Sequence, residues 1–243
     1  NSSKRLPVMR LRLLLAFLVA SITSAVADTE YIVVSGGPAV REFEDLRKPA
    51  EQHDRWWGNF IRTARVRMQE IHKTAPAGTR ITWLVYRDGY VRRAASERQP
   101  LTQNIESVPQ AYPFIKLVWF RSTDELIRYI NSGMSRWSTK ISGFEYFGHS
   151  NMYSFMFDYS SDVYANSTCW LHQADLNRIN GSAFAKNAYC RSWGCHTAES
   201  MSKVWQRQTG VPLVGAKGKT DYSHMHERGW HVGLSPGSRW IER

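Results

Sequence analysis

Short apolar runs of strand length alternate with stretches of helical spacing from Tyr31 to Ala216, and this order constrains the fold more than any other property of the chain. Tyr31-Ile32-Val33-Val34 runs into the turn Ser35-Gly36-Gly37-Pro38. Opening at His53 or Asp54, a long helix is predicted, because Trp57, Phe60, Ile61, Ala64, Met68 and Ile71 recur on one face with Arg62, Arg65 and Arg67 outside. Ile81 to Tyr86 is a second strand, followed by a turn over Arg87-Asp88-Gly89-Tyr90. Residues 92 to 113 are polar and weakly periodic, which predicts a loop with no more than about one helical turn. Phe114 to Phe120 is a third strand, and Ser122-Thr123-Asp124-Glu125 has the form of a capping box before a helix with Leu126, Ile127 and Ile130 inward.

Further strands are predicted to end at His149 and at Cys190. Between them lies a short helix around Leu171 to Ile179, and after them a helix capped by His196 or Thr197 and closed by Gly210. Val211 to Ala216 is the last strand candidate. Repeated strand–helix units of this kind give a mostly parallel sheet with helices on both faces, here a three-layer α/β fold with a six-stranded sheet. Its 42% hydrophobic and 22% charged residues suit one globular domain over 28–243, and ten Trp and eleven Tyr exclude disorder.

Residues 1–27 are expected to lie outside that domain. Met9-Arg10-Leu11-Arg12 is a basic start, Leu13 to Val19 is unbroken apolar sequence, and Ala25-Val26-Ala27 has the small-x-small form of a signal-peptidase site. The eight residues before Met9 are read as upstream sequence. The apolar run is short of the ~20 residues that a membrane span needs. The expectation is a secreted or periplasmic protein beginning at Asp28, with no membrane association after cleavage. Loss of Lys4, Arg5, Arg10 and Arg12 takes four positive charges from the formal +11, leaving +7. The remaining basic residues are dispersed, with Arg62, Arg65 and Arg67 on a helix and Arg92 and Arg93 in a turn, so no nucleic-acid partner is expected. Three cysteines, Cys169, Cys190 and Cys195, allow at most one disulfide, and a Cys190–Cys195 bridge is the competing use of two of them.

The chemistry is concentrated between Phe144 and Thr197. In an open α/β sheet, ligands bind outside the carboxyl ends of the strands. Two adjacent strands would deliver His149 and Cys190 there, and a thiol beside an imidazole is a nucleophile–base pair. The residues after Cys190 are small and polar and enter a helix, which would favour a thiolate through backbone N–H donors. His149 would take the thiol proton and return it to a leaving amine. Gly148, Ser150, Ser192 and Gly36 are the oxyanion and cleft candidates.

The order strand–His–small residue, helix, strand–Cys190-Arg191-Ser192-Trp193-Gly194, helix, strand resembles the clan CD cysteine peptidases, the group containing caspases, metacaspases and gingipains. The resemblance covers about Ile115 to Asp221 and is topological before that. It implies the caspase–haemoglobinase fold, His149 as base and Cys190 as nucleophile. Ser150 stands where that family usually has Gly. Cys195-His196-Thr197-Ala198 resembles the Cys-x-x-Ala runs of some bacterial caspase-like domains, so Cys195 is the alternative nucleophile.

Other patterns carry less. Gly233-Leu234-Ser235-Pro236-Gly237 has the G-x-S-x-G spacing, but Pro236 lacks the N–H that a nucleophile elbow needs after its serine. His224, His226 and His231 fit no established ligand pattern and are read as surface histidines, so neither metal nor cofactor is expected. Asp158 and Asp221, with Asp162, sit in loops that could form an acidic substrate pocket for Arg or Lys side chains. The expected function is an exported cysteine endopeptidase acting on protein or peptide through a thiol acyl-enzyme. The alternative is a catalytically silent caspase-like domain that binds peptide or glycan in the same crevice. The sequence leaves oligomeric state open.

Overall fold

Successive residues of the first strand face opposite sides of the sheet, and each side has its own core. Ile32 and Val34 join one buried cluster, while Tyr31 and Val33 join another. That strand is therefore covered on both faces, as its unbroken apolar run requires. The computed structural model describes residues 28–49, 52, 54–159 and 168–242. The predicted signal segment 1–27 lies outside the described residues, as does Asp162.

In chain order the elements are β1 (Thr29–Ser35), α1 (Arg41–Asp45), α2 (Asn59–Thr74), β2 (Arg80–Tyr86), α3 (Arg87–Glu97), α4 (Leu101–Ala111), β3 (Ile115–Phe120) and α5 (Thr123–Ser132). They continue with β4 (Lys140–Phe147), β5 (His149–Ser150), β6 (Ser154–Asp158), β7 (Cys169–His172), β8 (Phe184–Ser192), α6 (Met201–Thr209), β9 (Leu213–Lys217), β10 (Thr220–Asp221), β11 (Gly233–Leu234) and β12 (Arg239–Glu242). The central sheet has the order β12-β9-β8-β4-β1-β2-β3. Its neighbours are parallel except β12, which runs antiparallel to β9. It is thus α/β and mostly parallel, with seven strands rather than the expected six. The added strand, Arg239–Glu242, is short and polar at its ends, and its pairing partner is set by the fold rather than by its own pattern.

Two further expectations are corrected. The long helix begins at Asn59, not at His53 or Asp54, because Asp54 is buried and engaged elsewhere. The 87–113 region holds two helices instead of a turn and a loop. By its sequence context Gly89 is expected in a turn. It lies inside α3, where a Cβ would come within 2.8 Å of the Gly37 Cα, so it is there for close helix–turn packing. The weak periodicity of α3 arises because it buries Arg93, whose guanidinium bonds the Ala39 carbonyl at 2.6 Å. The helix after β3 is capped as expected: Ser122 Oγ accepts from the Glu125 N–H at 3.2 Å, and Glu125 in return accepts the Arg121 N–H at 2.7 Å. No helix among the described residues is long and apolar enough to cross a membrane.

Candidate active site at the carboxyl ends of the central strands

The register between β4 and β8 selects which cysteine can meet His149. Their last pair is Tyr146 opposite Ser192. Three residues beyond Tyr146 is His149, and three beyond Ser192 is Cys195. Cys190 instead pairs with Phe144, inside the sheet. The strand carrying it does not stop there but runs on to Ser192. Cys190 is 1% exposed and sits in the core with Phe144 and Trp205. Burial pushes its thiol well above the ordinary cysteine value. The expectation that Cys190 stands at the crevice is therefore corrected. Cys190 and Cys195 are both in the thiol form, so no bridge between them removes either.

His149 and Cys195 line one cavity of about 40 Å³, walled also by Phe60, Gly148, Thr220 and Tyr222. Cys195 Sγ lies 3.3 Å from Thr220 Oγ1 and accepts the Thr220 N–H at 3.4 Å. Its loop is tied to the His149 loop by Ser150, whose Oγ donates to the Cys195 carbonyl at 2.7 Å. A glycine after His149 could not make that bond. Gly194 permits the approach: a Cβ there would collide with the Ser150 side chain and lie 3.0 Å from the Gly148 carbonyl. His196, immediately after Cys195, takes a left-handed φ of 62° and donates its N–H to the Gly218 carbonyl at 2.7 Å.

His149 is held on all sides. Its Nε2 is 2.6 Å from Asp54 Oδ2. Tyr159 stacks on the ring at a centroid distance of 4.0 Å, and Phe60 meets it edge-on at 5.1 Å. Asp54 is itself fixed, since its carboxylate accepts the Ala39 N–H at 2.7 Å and its own N–H goes to Glu44 at 3.0 Å. Burial alone would raise the Asp54 pKa, but the charge and hydrogen bond of His149, the Ala39 N–H and the Arg93 charge outweigh it and hold the carboxyl below its ordinary value. Asp54 thus accepts Nε2–H and leaves Nδ1 as the proton-accepting nitrogen. Glu44, buried beside Asp54, moves the other way: burial and the Asp54 charge raise it.

The remaining sequence candidates are distributed unevenly. Gly148 lines the cavity and Ser150 braces it. Ser192 is fully buried and accepts the Gly194 N–H at 3.2 Å, a structural contact beneath the cysteine loop. Gly36 continues β1, with its N–H bonded to the Phe147 carbonyl and its carbonyl to Tyr90, so it serves the scaffold. Asp158 is 2% exposed and engaged by Arg92 and Thr168, and Asp221 is paired with Arg228 at 3.3 Å. Neither forms the expected acidic pocket. Asp54, Thr220 and Tyr222 were not among the sequence candidates. Asp54 lies in an irregular segment 95 residues before His149, and only the topology brings them together.

Comparison with protein-family models, with curated proteins and with solved structures finds no match to the chain.

Proposed function

We propose that this protein is a cysteine peptidase of caspase-like type in which Cys195 is the nucleophile, His149 the acid–base and Asp54 the residue that orients His149. The observation that carries the reading is the shared cavity of His149 and Cys195, with Nε2 of the imidazole bonded to a buried carboxylate at 2.6 Å. The third member supports it, because a nucleophile–base pair works best when the base is oriented in turn. Cys195 Sγ would attack the scissile carbonyl as its proton passes to His149 Nδ1. The tetrahedral intermediate would collapse as His149 returns that proton to the departing amine, leaving a thioester. Water, deprotonated by the same imidazole, would then release the acid and regenerate the thiol. The backbone N–H groups of Gly148 and Cys195 are the donors proposed for the oxyanion.

The adjacency of the parallel strands β4 and β8, which precede His149 and Cys195, supports the reading. Export rests on the sequence of residues 1–27. The alternative, a silent binding domain, draws on one observation: a cavity of about 40 Å³ holds roughly one water and admits no acyl group unless the Lys219–Tyr222 wall moves. Hydrolysis of a quenched peptide library separates the two. Cys195→Ala should abolish turnover and Cys190→Ala should retain it. Turnover lost only in Cys190→Ala, or absent from the unmodified protein, would overturn the reading.

A further inference from the structure

The second side-chain torsion of a histidine is broad, so the bond from Nε2 to Asp54 leaves the imidazole able to swing about it. Packing restrains that swing. Tyr159 lies on the ring at a centroid distance of 4.0 Å with 19° between the planes, and Phe60 meets it edge-on. Phe60 belongs to α2 and is buried, so the core sets its place. Tyr159 stands one residue beyond the end of β6 and owes its place to other side chains. Arg47 Nη2 donates to its hydroxyl at 2.7 Å, and the same guanidinium lies 5.0 Å from the Tyr159 ring centroid and 5.2 Å from that of Phe43. Phe43 meets the Tyr159 ring edge-on at 5.7 Å. Arg47 pairs in turn with Glu44 Oε1 at 3.4 Å, while Glu44 Oε2 accepts the Asp54 N–H at 3.0 Å. One buried carboxylate at the end of α1 thus anchors both restraints on His149, the aspartate at Nε2 and the tyrosine on the ring face. Burial raises the Tyr159 pKa against the opposing charge of Arg47, which keeps the phenol neutral.

Resting on the assignment of His149 as acid–base, we infer that Tyr159 is a positioning residue for the reaction. Held by Arg47 and Phe43, its ring locks the imidazole plane, so that Nε2 keeps its bond to Asp54 while Nδ1 stays available to the Cys195 thiol. A base gains from such restraint because small displacements of reacting groups carry large penalties, and a group is held best when packing locks its own supports. Near-parallel stacking is one of the favoured aromatic arrangements, so the clamp needs no strained geometry. The restraint acts on alignment in the transition state and not on the hold on substrate. Its loss therefore falls on kcat and leaves KM nearly unchanged.

The test compares the full chain with Tyr159→Leu, Tyr159→Phe and Arg47→Met in two measurements. In hydrolysis of a quenched peptide, Tyr159→Leu should lower kcat about tenfold with KM within about twofold of the parent. Tyr159→Phe and Arg47→Met both keep an aromatic ring at 159 and lose only the bond to its hydroxyl, so each should lose about threefold. The second measurement needs no turnover. Proton–nitrogen NMR of the imidazole, assigned with His149→Gln, should show an Nε2–H that exchanges slowly with water in the parent. Exchange should quicken about threefold in Tyr159→Phe and Arg47→Met and about tenfold or more in Tyr159→Leu. Arg47→Met leaves the Tyr159 side chain untouched and carries the test if Tyr159→Leu does not fold. An Nε2–H signal missing from the parent, equal exchange in parent and variants, parent-like kcat in Tyr159→Leu, or Tyr159→Phe as impaired as Tyr159→Leu would overturn the inference. Failure of the peptidase reading looks different. Variant-dependent Nε2–H exchange in a protein that hydrolyses nothing refutes the peptidase alone, and hydrolysis that needs Cys195 and His149 but ignores the three substitutions refutes the clamp alone.

Discussion

Asp54 Oδ2 and His149 Nε2 stand 2.6 Å apart across 95 residues of sequence, and the aspartate is held in turn by the Ala39 N–H at 2.7 Å and, through its own N–H, by Glu44 at 3.0 Å. In the proposed mechanism this relationship orients the His149 imidazole as a base. Asp54→Asn removes the carboxylate and keeps its shape. It should lower kcat by at least about 10²-fold, because the amide no longer enforces the Nε2–H tautomer or stabilises the imidazolium. KM should change far less. Steady-state kinetics on the best peptide of the library measures both, and unchanged kcat would remove Asp54 from the mechanism.

The same pair makes a prediction about acid. Asp54 has its pKa depressed in the folded protein, so its contribution to stability is present above the unfolded carboxyl value near ~3.9 and is lost as the pH falls through the lower folded value. Urea unfolding should therefore show Asp54→Asn less stable than the parent at about pH 6, with the gap narrowing toward about pH 3. A gap that does not change with pH would mean that the carboxylate charge is not what the fold uses.

Gly194 is predicted to be a positional requirement. Gly194→Ala places a methyl group against the Ser150 side chain and the Gly148 carbonyl, both in the His149 loop. The two loops should separate, breaking the Ser150–Cys195 bond while leaving the sheet formed. Far-UV circular dichroism should stay near that of the parent, and turnover should drop by about tenfold or more, since small displacements of reacting groups carry large penalties. Full activity in this variant would show that the loops need not touch.

Beneath the site, Glu145 is fully buried and accepts from Tyr31 at 2.5 Å, Arg67 at 2.8 Å and Trp193 at 2.6 Å. Glu145→Gln would leave the Arg67 charge with Glu70 alone, at 3.1 Å, and turn an acceptor toward a donor. Destabilisation of about 3 kcal/mol is expected, read as a fall in the urea midpoint. A shift under about 0.5 kcal/mol would show that the network is peripheral to stability.

The strand–helix alternation was legible because β1, β2 and β3 are buried on both faces or bounded by clear turns, and their apolar runs say so. Gly210 also signalled a helix end directly, with φ of 78° at the C-cap of α6. The choice between Cys190 and Cys195 was not legible. The apolar pattern weakens after Tyr189, whereas β8 continues through Arg191 to Ser192, because Arg191 is covered by Trp193 and Trp240, whose rings lie 3.8 and 4.2 Å from its guanidinium. A tertiary cation–π sandwich extended the strand two residues past the point where its hydrophobicity ends. Asp54 was hidden for a different reason. No local pattern distinguishes a loop carboxylate facing solvent from one facing a histidine, and the difference appears only once β1 and β4 pair.

Mapping the reactive thiol tests the central claim most directly. The native protein is treated with iodoacetamide at neutral pH, digested, and the modified cysteine identified by mass spectrometry, with the same protein in urea as reference. The account predicts modification at Cys195 in the native state, slowed by His149→Ala, and modification of Cys190 only after unfolding, since its thiol is 1% exposed and raised in pKa by burial. Native labelling of Cys190 in preference to Cys195, or equal rates at Cys195 in the folded and unfolded protein and in His149→Ala, would contradict it.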